Sequence, residues 1–445
     1  MPEGSEPGSW APLYRDHIAE WDKRVADACG ACGVDGVVVF SGAAKVRHRD
    51  DLEYPFFADP YFKAWVPNAY PDSALKIVPG ETPVLIWLQH EDFWHMPAPE
   101  PSGFWAEHME IRCVSKKADL LKELDGVSRL AGIGEEAQEA MGFASVNNKK
   151  LLTHLDYHRA CKTRYEVACI EEANRVAAPG HAATSEALMG QPSEFELNGI
   201  YCRSSGQRES SLPYQSIVAL NQHAAILHYQ NLDRQPPERF RSFLLDAGGD
   251  HNGYASDITR TWTSPGDPFA DLIASLDVLQ RTICEEARSG ISFISLHDRT
   301  HQLLAEVLAQ HGIIRCTAAE GYESGLTRTF LPHGLGHLLG LQVHDAGGRL
   351  ESPDGTERNP PSEHPFLRMT RTLEPGFVVT IEPGLYFIPA LLAELRNGPL
   401  RSAVNWETVE RWQPYGGIRI EDDVLVTETG SRNLTRPALE RCGIA

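Results

Sequence analysis

Two aspartates set among apolar strand residues are the most demanding feature of this sequence. In the segment SFLLDAGGDHNGYASDITRTW, residues 242–262, the first seven residues read as a strand, Gly249-Asp-His-Asn-Gly253 as a turn, and Tyr254 onward as a returning strand. Asp246 and Asp257 lie symmetrically about the point between His251 and Asn252. A hairpin without a register shift sets them face to face, with Cβ atoms about 4.5–5.5 Å apart. Two like charges that close repel unless something positive lies between them. Asp246 also follows the apolar run Phe243-Leu-Leu245, where a bare carboxylate is costly to bury. A pair of turn-flanking aspartates on a solvated face is the plainer alternative, and the hairpin alone does not choose.

Three further segments bear on that choice. Pro332-His-Gly-Leu-Gly-His337 spaces His333 and His337 as in helical zinc proteases, but Gly334 and Gly336 argue against a helix and the Glu of that motif is missing. A glycine-rich loop that brings one histidine to a ligand fits better. Val378-Val-Thr-Ile-Glu382-Pro-Gly384 is an apolar strand ending in a carboxylate at a Pro-Gly turn. In Gly417-Ile-Arg-Ile-Glu421, Ile418 and Ile420 face one way while Arg419 and Glu421 face the other. Each segment is weak alone. Together they supply two Asp, one His and two Glu. Oxygen donors suit hard ions such as Mn²⁺, and one imidazole also admits Co²⁺ or Zn²⁺. Four carboxylates neutralise two divalent ions, which at about 3.5–4 Å apart hold a water between them and lower its pKa. The resulting hydroxide can attack an amide carbonyl.

The rest of the chain sets limits on partners and location. With 41 Lys+Arg against 61 Asp+Glu, the 445-residue chain carries a formal charge of −20 and no basic stripe, which disfavours nucleic acid. No apolar stretch approaches the roughly 20 residues that span a bilayer. The opening MPEGSEPGSW lacks the apolar core of a secretory signal and reads as a short disordered tail. Nine scattered cysteines then suggest reduced thiols in the cytoplasm. Cys29 and Cys32 form a lone CxxC, read as small residues near a helix end rather than as a redox or zinc site.

Periodicity suggests an α/β (α+β) chain of two domains, 1–160 and 161–445. A helix over His17–Ala31 is closed by Gly33. Gly36–Phe40 is a buried strand, 75–88 a hairpin around Pro79-Gly80, and Arg129–Ile133 another strand. Thr163-Arg-Tyr-Glu166 and Ser193-Glu-Phe-Glu196 carry the capping-box pattern of helix starts. From about 210 onward the chain reads as strand-rich, broken by irregular polar segments near 347–372 and 389–412 that are candidate lids.

In this order and context, Asp246, Asp257, His337, Glu382 and Glu421 resemble the ligand set of the pita-bread metallopeptidases, which include methionine aminopeptidases, aminopeptidase P and prolidases. Similarity to bacterial prolidases (Xaa-Pro dipeptidases, including those called organophosphorus acid anhydrolases) runs along nearly the whole chain. It is carried by Tyr54-Pro-Phe56, Phe62-Lys-Ala-Trp-Val-Pro67, Pro213-Tyr-Gln-Ser-Ile-Val-Ala-Leu-Asn221, Leu227-His-Tyr229, Gly340-Leu-Gln-Val-His-Asp345 and Tyr415-Gly-Gly-Ile-Arg-Ile-Glu-Asp422.

The resemblance implies a pita-bread catalytic domain after a small N-terminal α/β domain that serves dimerisation and covers the active site. It implies two divalent ions, Mn²⁺ first, held by Asp246, Asp257, His337, Glu382 and Glu421, with Asp257 and Glu421 bridging. Glu382 becomes a proton shuttle and His344 a donor to the developing oxyanion. His228, His333 and Arg419 form the pocket for a C-terminal proline and its carboxylate. Tyr214, within a matching stretch, joins the substrate site, and Asp51 is a candidate for the substrate's free amine, reached from the second subunit of a homodimer. Required recognition of a carboxylate just past the scissile bond limits the substrate to dipeptides. Phe293 stands where a close relative carries Tyr, and the stretch from Arg396 to Trp406 is hard to match. The rival readings are an aminopeptidase P-like enzyme acting on longer peptides and a non-catalytic peptide- or protein-binding module on the same fold. Organophosphate triester hydrolysis is a conceivable side activity.

Overall fold

A computed structural model describes residues 10–124, 126–138 and 141–444. The segment read as a tail lies outside these residues, except that Trp10 opens the first helix. The described residues cluster into two units. One runs to Cys169 and includes Glu351–Thr356, and the other comprises Ile170–Leu350 and the chain from Glu357.

The first unit is built on a six-stranded mixed sheet. Its strands are β1 (Gly36–Phe40), β2 (Ala74–Ile77), β3 (Val84–Leu88), β4 (Glu110–Val114), β5 (Leu130–Ile133) and β6 (Ser145–Val146), in the order β4-β3-β2-β1-β5-β6. The Pro79-Gly80 turn joins β2 to β3, with Leu75 opposite Leu85. The helix before β1 spans Trp10–Cys32, longer than its periodicity suggests, and Gly33 closes it at φ +70°. Cys29 is buried on that helix, and burial pushes its thiol up to about 11. All nine cysteines are free thiols.

The second unit holds the chemistry. Both capping boxes form: at the end of the first unit Glu166 accepts from Thr163 N at 2.7 Å ahead of the helix Arg164–Ala187, and in the second Ser193 and Glu196 pair reciprocally ahead of Glu194–Ser205. β7 (Ile217–Leu220), β8 (Ser242–Asp246) and β11 (Thr259–Thr263) make an antiparallel sheet, with the short β9 (Asp250–His251) and β10 (Tyr254–Ala255) extending the hairpin. β12 (Val378–Ile381) pairs with β15 (Asp422–Val426), and β13 (Gly384–Tyr386) with β14 (Gly417–Arg419), while β16 (Ser431–Asn433) lies outside β15. A bridge between Thr259 and Glu421 joins the two sheets.

Several expectations change. The hairpin turns between Asn252 and Gly253, both at positive φ (53° and 83°), as an Asn-Gly turn favours. Register therefore pairs Asp246 with Thr259, not with Asp257, so the two aspartates are diagonal neighbours. The chain after 210 is not uniformly strand-rich. Helices fill Phe269–Glu286 and Phe293–Gln310, each burying one apolar face such as Leu272, Leu276, Leu279 and Ile283. Residues 389–412 are no loop either. They form helices Pro389–Asn397 and Trp406–Trp412, and Arg396 stacks on the Trp406 ring at 4.3 Å. Glu382-Pro-Gly384 is a break within a continuing strand rather than a turn. Among the described residues no helix is long and apolar enough to cross a membrane.

Candidate metal centre

Five segments deliver the carboxylates and the imidazole. Asp246 ends β8, Asp257 follows β10, and Glu382 and Glu421 lie at breaks in two paired strands. The ladders on either side of those breaks share one register, which sets Glu382 opposite Glu421. His337 comes from the glycine-rich loop, which docks along the free edge of β12. His337 O accepts from Thr380 N, Leu335 O accepts from Glu382 N, and His337 N donates to Thr380 Oγ1 at 3.0 Å. Gly336 is required there, because a Cβ would lie 2.0 Å from the Thr380 carbonyl oxygen.

Ligand atoms of Asp257, His337 and Glu421 lie within 4.8 Å of one another. His337 Nε2 is 3.5 Å from both Asp257 Oδ2 and Glu382 Oε1. Burial raises Glu421 well above the carboxylate range, helped by the charges of Asp257 and Glu382. Burial also pushes Glu382 up to about 7 and raises Asp246. Burial disfavours the His337 cation but is outweighed by Asp257 and Glu382, which hold it up at about 9. The reciprocal contact with His337 outweighs burial at Asp257 and lowers its pKa. Asp246 Oδ1 is buried without a hydrogen-bond partner. So much negative charge and an orphaned carboxylate oxygen fit a set of cation ligands.

Arg419 is buried and already engaged. Its Nη2 meets Asp246 Oδ2 at 2.5 Å, Nη1 donates to the Tyr386 hydroxyl at 3.1 Å, and Nε donates to Thr259 Oγ1 at 3.2 Å. Thr259 in turn donates to Glu421 Oε2 at 2.6 Å. His333 Nε2 is 2.8 Å from the Tyr386 hydroxyl, and burial pulls its pKa down to about 4. His344 packs on His337 with ring centroids 4.4 Å apart, and burial lowers it to about 4. His228 is exposed, near enough to His333 and His344 to disfavour their protonation. The Tyr214 hydroxyl lies beside Asp246 and Asp257. Asp51 is exposed in the first unit, and Phe293 is fully buried.

Residues 168–428 match the model of metallopeptidase family M24, and residues 12–157 match the Xaa-Pro dipeptidase N-terminal domain. An Xaa-Pro dipeptidase of Shewanella pealeana is 44% identical over 430 residues, covering 96% of this chain and 98% of that one. An Xaa-Pro dipeptidase of Stenotrophomonas maltophilia is 43% identical over 436 residues, covering 97% and 98%. The chain belongs to the Xaa-Pro dipeptidase branch of metallopeptidase family M24. Its fold is also that of Escherichia coli aminopeptidase P with the inhibitor Pro-Leu, at TM-score 0.71 and 21% identity over 95% of this chain and 97% of that one.

Family M24 peptidases depend on divalent metal ions, and the donor set of this M24 chain matches that need. Four supporting residues escaped the sequence reading. Thr259 links Arg419 to Glu421, Thr380 orients the His337 loop, and Tyr386 joins His333 to Arg419. Asp423, buried, accepts from Asn174 Nδ2 at 2.8 Å and from Asp257 N at 3.2 Å. Of the four, Asp423 left a signal, as one of two adjacent carboxylates, Asp422 and Asp423, that open the strand after Glu421.

Proposed function

We propose that this M24 metallo-dipeptidase hydrolyses free Xaa-Pro dipeptides. The near-full-length identity to Xaa-Pro dipeptidases, N-terminal domain included, carries that reading. Two divalent ions, Mn²⁺ first, would be held by Asp246, Asp257, His337, Glu382 and Glu421. When bound they would lower the pKa of a shared water and polarise the scissile carbonyl. Glu382, beside the attacking water, would take a proton from it and return it to the departing proline nitrogen. His344, kept neutral by burial, donates an N–H to the carbonyl oxygen as charge develops. Arg419 uses three donors on Asp246, Tyr386 and Thr259, leaving N–H groups of its five for the substrate carboxylate. His228, His333 and Tyr214 would enclose the proline, whose missing N–H costs nothing in a pocket shaped for the ring.

The proposal extends to a homodimer in the cytoplasm. The first unit, taken as a domain ending near residue 160, would then dimerise and bring Asp51 to a partner's substrate amine. Exposed Phe57, Phe93, Trp94 and Met96 support a second copy as partner, and nine free thiols support a reducing compartment. Light scattering on the eluting protein reads the oligomer. Organophosphate triester hydrolysis is proposed as a side activity, with kcat/KM below that for a dipeptide.

The test assays chelator-stripped protein re-supplied with Mn²⁺ on an Xaa-Pro dipeptide and on the same peptide extended by one residue. Cleavage of the dipeptide alone is expected. Cleavage of the longer peptide points to an aminopeptidase P-like enzyme. No cleavage of either, across several divalent metals, points to a binding module.

A further inference from the structure

Three histidines converge away from the carboxylate centre. His297 and His301 lie one turn apart on the helix Phe293–Gln310, and His364 comes from the irregular segment before β12. All three are buried, and their ligand nitrogens lie within 4.8 Å of one another. His297 Nε2 is 3.0 Å from His364 Nδ1 and 3.3 Å from His301 Nε2. Zn–N bonds of about 2.0–2.1 Å in a tetrahedron place ligand nitrogens about 3.3 Å apart.

The outer nitrogens of His364 and His301 are oriented as a metal site needs. His364 Nε2 lies 3.3 Å from Asp298 Oδ1, and a carboxylate there is met by an N–H. That leaves the lone pair of His364 on Nδ1, facing His297. His301 Nδ1 is 3.0 Å from Thr327 Oγ1; with the hydroxyl accepting, the His301 lone pair sits on Nε2 and faces the same point. Such outer partners are what fixes the tautomer of a ligating histidine. Hydrogen bonding among the three rings leaves a defect. His297 Nε2 carries one proton or one lone pair yet faces two nitrogens. One cation at the common point takes a lone pair from all three. Arg328 opposes a cation here, while the carboxylates of Asp298 and Glu363 favour one.

A contrasting group, Glu194, His223 and Asp233, has no such vacancy of function. Glu194 already accepts from Leu220 N, His223 Nδ1, the Tyr229 hydroxyl and Asp233 N.

We propose that His297, His301 and His364 form a second metal site, for a Zn²⁺-class ion with three imidazole ligands. Imidazole donors suit Zn²⁺, Co²⁺ or Ni²⁺ better than Mn²⁺, whereas the oxygen donors of the carboxylate centre also suit Mn²⁺. His297 and His364 also line a cavity of about 220 Å³ that reaches His333, from which water supplies the fourth ligand. The ion staples the His364 segment to its helix beside that cavity. This site is independent of the peptidase reading.

The test loads the full-length protein with Mn²⁺, then dialyses it against Zn²⁺ and counts bound zinc. Wild type is expected to hold one zinc equivalent more than His301→Gln and His364→Ala, with Mn²⁺ uptake as the control for folding. Equal zinc in all three, or an excess that survives both substitutions, overturns the proposal. Zinc-edge X-ray absorption on wild type needs no variant. Scattering from three imidazoles supports the site, and oxygen-only coordination refutes it.

Discussion

Glu382 sits directly across the strand pair from Glu421, at the point where β12–β13 and β14–β15 both break their ladder. On either side of that break the two strands pair normally. Opposed side chains of one charge destabilise a sheet unless a cation separates them. The arrangement therefore stores a demand for positive charge that Arg419 and His337 meet only in part.

That demand gives the metal-free protein a pH signature. Glu382 is raised to about 7 when folded against about 4.3 unfolded, so its stabilisation is present below about pH 4.3 and lost as pH rises through 7. His337, raised to about 9 from about 6.5, contributes stability below about pH 6.5 that is lost as pH rises through 9. After chelation, Tm should fall steadily from about pH 5 to about pH 9. Bound metal should flatten the curve, and Glu382→Gln should remove its lower part. Thermal melts across pH check this; a metal-free Tm that rises with pH contradicts it.

Arg419 and Asp246 form a buried ion pair, so removing one partner strands the other. Arg419→Met should cost about 3–5 kcal/mol in the metal-free protein. The loss should be smaller with metal bound, because a cation then faces Asp246. Urea unfolding with and without Mn²⁺ measures both. An equal loss in the two states would show that Asp246 is no metal ligand.

Arg419→Lys keeps the charge but loses the planar fork. If the guanidinium also grips the substrate carboxylate, KM for an Xaa-Pro dipeptide should rise about tenfold or more, the equivalent of one charge-assisted hydrogen bond. Steady-state kinetics at saturating Mn²⁺ reads this. A change confined to kcat argues for positioning of Asp246 alone.

Gly336→Ala should push the histidine loop off β12, since the new methyl would meet the Thr380 carbonyl. The expected loss is about 1–3 kcal/mol of stability together with weaker metal retention. Metal analysis after gel filtration tests the second effect. Full retention would mean that the loop relaxes without moving His337.

Gly253 stands at φ +83° in the Asn-Gly turn that sets the Asp246 hairpin. Gly253→Ala should cost about 1–2 kcal/mol, the penalty of a Cβ in the left-handed region. Denaturant titration checks the figure.

Residue chemistry grouped Asp246, Asp257, His337, Glu382 and Glu421, because carboxylates inside apolar strands are costly without a counter-charge, and the resemblance to pita-bread metallopeptidases made that group a ligand set. Both capping boxes and the β2–β3 turn were legible for a similar reason, since their signals lie within a few adjacent residues. Local sequence could not decide how distant strands meet. The hairpin register turned on whether the chain reverses at Asn252-Gly253 or one residue earlier, and that choice moved Asp257 off Asp246. Glu382 and Glu421 face each other only because their strands pair in one register across both breaks. The helices Phe269–Glu286 and Phe293–Gln310 carry a stripe at helical spacing, Leu272, Leu276, Leu279 and Ile283 in the first, so a strand-rich reading after 210 overlooks a local signal that is present. Tertiary packing also decided what Arg419 touches and brought His364 to His297 and His301, because side chains far apart in sequence share no signal until the backbone places them together.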